Sequence, residues 1–363
     1  MKHFIVDAHQ DIAYNMLSFG RDYRRSAHET RRLEKGSLNV VHNGDCLMGW
    51  PEYHEGRVGV IFSTLFAAPV RASEGGWDKV SYADTAQAKT LYRQQLDLYR
   101  RLADEQSDYF RLVRTKSELE AVVKPWQAGQ KDAPLGLVML MEGAEAVAHP
   151  AELEEWWQMG LHIIGPAWAG TRFCGGTREP GPLTSAGYEL LEGMSQYGFV
   201  LDLSHMDAPA CLQALDYYPG RIIASHSNAI TPIKGWESNR LLPDAVIRGI
   251  LDRNGVIGIV PLNSFLKTGW RRGHDRAEVP LSIVAGQIDY ICQMAGNARH
   301  VGLGTDFDGG FGVQSVAPEI DTIADLQKLG PLLIEKGYSE QDLEAIFGGN
   351  WLGVLRDTLP EAR

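Results

Sequence analysis

The stretch Leu135-Gly-Leu-Val-Met-Leu-Met-Glu142-Gly143 is an apolar run that ends abruptly in a carboxylate. Short apolar runs of this length are typical of buried strands. Further runs of the same kind occur along the chain, and amphipathic segments separate most of them. The eight candidate strands are Phe4–Asp7, Val58–Leu65, Leu135–Met141, His162–Pro166, Phe199–Leu203, Arg221–Ala224, Val256–Pro261 and Val301–Gly304.

Eight strands that alternate with helices predict an α/β protein built as a parallel (β/α)₈ barrel, with residues 1–363 forming one domain. A doubly wound open sheet is the alternative, because strand count alone does not distinguish the two. A polar segment at about 15–56 is predicted to be a long loop insertion after strand 1, over one face of the barrel. Residues 322–358 are predicted to be C-terminal helices, with a break at Gly348.

The composition is that of an ordinary globular protein, with 44% hydrophobic and 22% charged residues among 363. The formal net charge of −11 argues against nucleic acid or an anionic membrane as a partner. Four scattered cysteines indicate neither a disulfide framework nor a zinc knuckle, and they suit a reducing compartment. We see no signal-peptide or transmembrane pattern, so the expected location is cytoplasmic.

Acidic and imidazole side chains stand at the ends of five predicted strands, the end where barrel enzymes place their sites. Singly, each has a structural explanation, such as a polar loop or a helix cap. Nitrogen and oxygen ligands without thiolate suit zinc, with manganese or cobalt as alternatives. Six groups exceed the needs of one catalytic zinc, so two ions that share Glu142 are the economical arrangement. The six are His9, Asp11, Glu142, His205, His226 and Asp306.

These residues lie in motifs that resemble, in order and over nearly the whole chain, those of the membrane (renal) dipeptidase family of metal-dependent amidohydrolase barrels. The motifs are DAHQD at 7–11, EG at 142–143, DLSH at 202–205, SHS at 225–227 and GTDFDG at 304–309. Ala8 replaces the glycine that is usual in the first motif. The resemblance implies two divalent ions, most simply Zn²⁺. His9 and Asp11 would bind the first, Glu142 both, and His205 and His226 the second.

The resemblance also implies that Asp306 accepts or relays the proton of a water held between the ions. Asp308, two residues later, is predicted to cap the following turn. Arg240, in the stretch RLLPD at 240–244, would hold the substrate carboxylate. The family commonly carries a histidine after strand four that contacts the substrate. Trp168 stands there in this chain, and Arg172 or Arg178 are candidates to compensate.

The implied function is hydrolysis of dipeptides, with a small-molecule substrate and, as is common in the family, a homodimer. Trp168 leaves room for another substrate of the same metal site, such as another small amide, a lactam or a cyclic imide. An inactive metal-binding homologue is the remaining alternative. Tryptophan cannot act as a charged electrophile, although its indole N–H can donate one hydrogen bond.

Overall fold

The structure, a computed structural model, describes residues 2–73 and 77–361. Eight parallel strands alternate with helices, and each falls on one of the predicted apolar runs. They are β1 Ile5–Gln10, β2 Val58–Phe66, β3 Leu135–Glu142, β4 Leu161–Gly165, β5 Val200–Asp202, β6 Ile222–Ile223, β7 Ile257–Ile259 and β8 Val301–Leu303.

The strands form a nearly closed ring, which confirms the (β/α)₈ barrel over the open-sheet alternative. Their spatial order is β6-β5-β4-β3-β2-β1-β8-β7. The two ends of this series meet where Ala224, just after β6, bridges Ile257 of β7 in parallel. There the Ala224 N–H donates to the Val256 carbonyl at 2.9 Å, and the Gly258 N–H donates back to Ala224 at 2.8 Å.

The barrel strands read as continuous apolar runs because both of their faces are covered. Every residue of β2 and β3 is buried, as expected for a parallel sheet between a packed interior and a helical outer layer. The register aligns the strand ends, since Glu142 of β3 pairs with Phe66 of β2 and with Gly165 of β4. Polar residues that end or follow these strands therefore emerge at one level.

The outer layer is helical, and none of the helices in residues 2–73 and 77–361 is long and apolar enough to span a bilayer. A short strand, Phe110–Leu112, also pairs with the start of β3. An antiparallel hairpin, Cys174–Gly176 with Glu179–Leu183, follows β4. The α-helices are Ile12–Phe19, Ala27–Glu34, Leu38–Asn43, Trp50–Gly56, Thr85–Glu105, Lys116–Gln127, Leu153–Gln158, Ser185–Tyr197, Ala208–Tyr217, Asp244–Asp252, Leu281–Ala295, Leu329–Glu335, Glu340–Glu344 and Asn350–Thr358.

The insertion after β1 is helical rather than a loop. Four helices of six to eight residues occupy the region, too short for a helical period to show in a polar sequence. Asp308 anchors the insertion and does not act as a simple turn cap. Its buried carboxylate pairs with Arg21 at 3.0 Å and accepts from the Tyr23 hydroxyl at 3.1 Å and the Leu47 N–H at 2.8 Å.

The C-terminal segment is helical, as predicted. The expected break at Gly348 is a single π-helical turn, Ala345–Gly349, that joins two helices. A Cβ at Gly348 would stand 2.8 Å from the Phe4 carbonyl oxygen, so the helix needs glycine here to approach the start of β1.

Candidate metal centre

The side chains predicted from the strand ends converge on the Glu142 carboxylate. Its Oε1 lies 3.1 Å from His205 Nε2 and 3.4 Å from His226 Nε2. Its Oε2 lies 3.4 Å from His9 Nε2. All four side chains are buried. One carboxylate therefore faces imidazoles from three different strand ends.

Two carboxylates complete the cluster. Asp11 Oδ1 and Asp306 Oδ1 each lie 4.0 Å from His9 Nε2, and the Thr64 hydroxyl donates to Asp11. Among the described residues, two groups have ligand atoms within 4.8 Å of one another. They are His9–Glu142–His226 and His9–Asp11–Asp306. His205 joins through its Nε2, which is 2.9 Å from that of His226.

The donor atoms fit a metal centre better than a hydrogen-bonded core. His9 Nε2 is buried and has no hydrogen-bond partner, although buried polar atoms are normally paired. The Nε2 atoms of His205 and His226 face each other at 2.9 Å. His205 Nδ1 is meanwhile 2.9 Å from the Thr177 hydroxyl. Lone pairs that converge in this way are the arrangement a divalent cation requires.

The electrostatics of the cluster are strongly perturbed. Burial alone would lower the pKa of His9, but the carboxylates of Glu142, Asp11 and Asp306 together outweigh it and raise that pKa to about 10. Burial lowers the pKa of His205 to about 4. Burial also raises the pKa of Asp306 well above its usual range. Such shifts cluster where charges are held together for function, and a bound cation would relieve them.

Backbone strain also occurs at and beside the cluster. His205, Asp306 and Asp308 have φ values of 68°, 56° and 62°, in the left-handed region that costs a non-glycine residue about 1–3 kcal/mol. A Cβ on Gly309 would stand 1.9 Å from Asp306 Oδ1, so this glycine makes room for the carboxylate. Strain of this kind is characteristic of functional sites.

Arg240 lies beside the cluster with only neutral partners. The guanidinium donates to the His226 carbonyl oxygen at 2.9 Å and to the Ser227 hydroxyl at 3.2 Å, and it lies 5.1 Å from the centre of the Phe265 ring. Its Nε has no hydrogen-bond partner. The side chain is only 4% exposed, and burial lowers its pKa. Within the described part of the chain, no carboxylate lies within ion-pair distance of this cation, although the charges of Asp306 and Glu142 act on it from farther away.

Trp168 lies at the edge of the cluster, half-buried, with its ring centre 6.0 Å from that of His205 and 5.2 Å from that of Phe66. The two candidate compensating arginines differ. Arg172 is occupied, since it donates to the Thr85 hydroxyl at 3.0 Å and to a backbone carbonyl. Arg178 is exposed at the tip of the hairpin after β4, with its backbone N–H bound to Asn239.

Comparison with known proteins identifies the family. The model of the membrane dipeptidase family (peptidase family M19) matches residues 1–362. The chain belongs to this family. An uncharacterized protein in the pqqA 5′ region of Klebsiella pneumoniae is 30% identical over 276 residues, 73% of this chain and 94% of that protein. Dipeptidase verJ of Clonostachys rogersoniana is 26% identical over 360 residues, 97% of this chain and 83% of its own.

Solved structures show the same fold. A metallopeptidase from Rhodobacter sphaeroides, liganded with a phosphinate mimic of the dipeptide L-Ala-D-Ala, superposes with a TM-score of 0.78 at 23% identity, over 99% of this chain and 100% of that one. An amidohydrolase from Pseudomonas aeruginosa gives 0.70 at 18% identity, over 98% and 97%. As a member of this metallopeptidase family, the protein is a hydrolase of the dipeptidase type, and membership implies that it binds divalent metal.

Proposed function

We propose that this protein hydrolyses dipeptides and that Arg240 holds the free carboxylate of the substrate. The observation that carries this proposal is the buried Arg240 guanidinium with only neutral partners. A buried charge without a counter-ion is costly, and a planar guanidinium matches a carboxylate through two parallel hydrogen bonds. Its bond to the carbonyl oxygen of His226 fixes its distance from the ligand cluster, and so favours short peptides.

In the proposed centre, His9 and Asp11 would hold one divalent ion, and His205 and His226 would hold a second. Glu142 would hold both, since its Oε1 lies toward His205 and His226 and its Oε2 toward His9. Zinc suits these nitrogen and oxygen ligands. When bound, such a pair of ions lowers the pKa of a water molecule and polarises the scissile carbonyl.

Asp306 is the proposed general base and acid. Its Oδ1 lies 4.0 Å from His9 Nε2, at the edge of the ligand set. Its side chain is 14% exposed, more than those of the other carboxylates of the cluster. We propose that this carboxylate accepts a proton from the attacking water and delivers it to the leaving amine, as general acid–base catalysis requires.

Trp168 makes a second class of substrate compatible with the same site. Its indole stands beside His205 where the family commonly has an imidazole, so it offers an apolar wall in place of a charged donor. The same metal site could then cleave another small amide, a lactam or a cyclic imide. An inactive metal-binding homologue would keep the ligands and cleave none of these.

A substrate panel tests the proposal. The holoenzyme is assayed on L-L and L-D dipeptides, on the same dipeptides with the C-terminal carboxylate converted to an amide, and on lactams and cyclic imides. The expected result is turnover of dipeptides that falls at least about 30-fold when the carboxylate is converted to an amide, with no turnover of lactams or imides. Turnover only of lactams or imides supports the second class. Full metal occupancy with no turnover on any of them indicates the inactive homologue.

A further inference from the structure

The Ser225 hydroxyl touches two of the candidate metal ligands at once. Its Oγ lies 2.9 Å from His226 Nδ1 and 3.4 Å from His9 Nδ1. It also hydrogen-bonds to the carboxylate of Asp202 at the end of β5. All four residues are buried. Ser225 begins the SHS motif, and Asp202 begins the DLSH motif.

The Asp202 carboxylate accepts three hydrogen bonds, which hold it in one orientation beside Ser225. Its Oδ1 accepts the Ser225 N–H at 2.8 Å and the Ser204 N–H at 3.0 Å. Its Oδ2 receives the Ser225 hydroxyl. Ser204 also accepts the N–H of His226 at 3.0 Å and lies 3.3 Å from Ser225 Oγ. The Ser225 hydroxyl therefore donates its only proton to the Asp202 carboxylate.

The single proton of the Ser225 hydroxyl then determines which nitrogen of each imidazole is protonated. A serine hydroxyl has one donor and two lone pairs. With the proton directed to Asp202, Ser225 can only accept from the rings, so His226 and His9 both donate from Nδ1. In the neutral form of each ring, which is the form that can bind a metal ion, Nε2 then keeps its lone pair, and both Nε2 atoms lie 3.4 Å from the Glu142 carboxylate. One hydroxyl thus imposes the ligand tautomer on two histidines.

We infer that Asp202 and Ser225 form a positioning pair that orients His9 and His226 together, and so couples the two metal positions. The inference rests on the proposed two-metal function, in which these histidines bind different ions. His205 provides the contrast, because its Nδ1 is held separately by the Thr177 hydroxyl at 2.9 Å. Groups that orient metal-binding histidines in this way typically change metal affinity about 10- to 100-fold when removed.

Zinc titration of matched variants tests the pair. Full-length wild type, Ser225→Ala and Thr177→Val are stripped and titrated with zinc against a chromophoric chelator, which gives both dissociation constants. Ser225→Ala is expected to weaken both ions about 10- to 100-fold, and Thr177→Val only one. Urea unfolding of the metal-free proteins separates loss of folding from loss of orientation.

Asp202→Asn is the second variant, because an amide can no longer fix the Ser225 proton through two acceptor oxygens. It is expected to weaken both ions as Ser225→Ala does. The inference would be overturned if folded Ser225→Ala or Asp202→Asn kept both zinc dissociation constants unchanged, or if only one of the two ions were bound more weakly. A wild type that binds no zinc would also overturn it. A wild type that shows the expected zinc pattern but cleaves no dipeptide would contradict the proposed function alone.

Discussion

Replacement of Arg240 by methionine tests the carboxylate site. The methionine keeps an apolar stem against Phe265, which lies 5.1 Å from the guanidinium, and removes the charge. A guanidinium has five N–H donors, and Arg240 uses two of them on His226 and Ser227. Three donors, including the unpaired Nε, are left for a substrate carboxylate, enough for a bidentate contact.

The expected loss follows from the burial of this charge. Truncation of one partner of a buried, hydrogen-bonded charge pair costs about 2–5 kcal/mol, which corresponds to about 30- to 4,000-fold in an equilibrium or specificity constant. We therefore expect Arg240→Met to lose at least about 30-fold in kcat/KM on a dipeptide. The metal content should stay at the wild-type value, because Arg240 bonds to the backbone oxygen of His226 and not to its ring.

A cycle of enzyme and substrate variants isolates the contact. Wild type and Arg240→Met are each assayed on a dipeptide and on its C-terminal amide, which has no carboxylate to lose. The amide should be hydrolysed equally by both enzymes. Arg240→Lys keeps a positive charge but lacks the planar guanidinium, so its kcat/KM on the dipeptide should lie between those of wild type and Arg240→Met. An equal loss on the dipeptide and on the amide would refute the role of Arg240.

Three other perturbations follow from the structure. Asp306→Asn should keep its metal but lose about 100- to 10,000-fold in kcat, which is the usual contribution of general acid–base catalysis. Metal content and turnover are measured on the same sample. Near-normal turnover would contradict the role of Asp306. Asp308→Ala should lose about 1–3 kcal/mol of unfolding free energy for each buried donor that it leaves unpaired, because the Tyr23 hydroxyl and the Leu47 N–H lose their acceptor while Arg21 keeps Glu34. The control Asp22→Ala, which breaks a more exposed pair with Arg24, should lose less than about 1 kcal/mol in urea unfolding. Burial lowers the pKa of His162 from 6.5 to about 4, so its unfolded state binds the extra proton and stability falls as pH drops from 6.5 toward 4. Between pH 7 and pH 5, the free energy of unfolding of His162→Phe should therefore fall by about 2 kcal/mol less than that of wild type. Equal decreases for the two proteins in urea unfolding would contradict the lowered pKa of His162.

The barrel and the ligand cluster could be predicted from the sequence for one physical reason. Parallel strands in register bring their carboxyl ends to one level, so residues far apart in sequence, such as His9 and His226, meet without any further information. The apolar runs that mark the strands are equally readable, because both faces of each strand are buried.

The groups that support the cluster could not be predicted in the same way. Thr177 reaches His205 from a hairpin, and its contact depends on how that hairpin folds back. Asp308 looked like a turn residue, whereas its partner Arg21 comes from an insertion 287 positions earlier in the chain, whose short helices leave no clear period. Such contacts depend on long-range packing, which a local pattern does not encode.

Metal content and turnover, measured on one sample, test the proposed two-metal dipeptidase. The protein is purified without chelator, its metal content per chain is measured, and dipeptide hydrolysis is followed as the metal is removed and then restored with zinc. We expect about two ions per chain, with turnover that disappears with the metal and returns with zinc. A protein that holds no metal and gains no activity from added zinc would contradict this proposal.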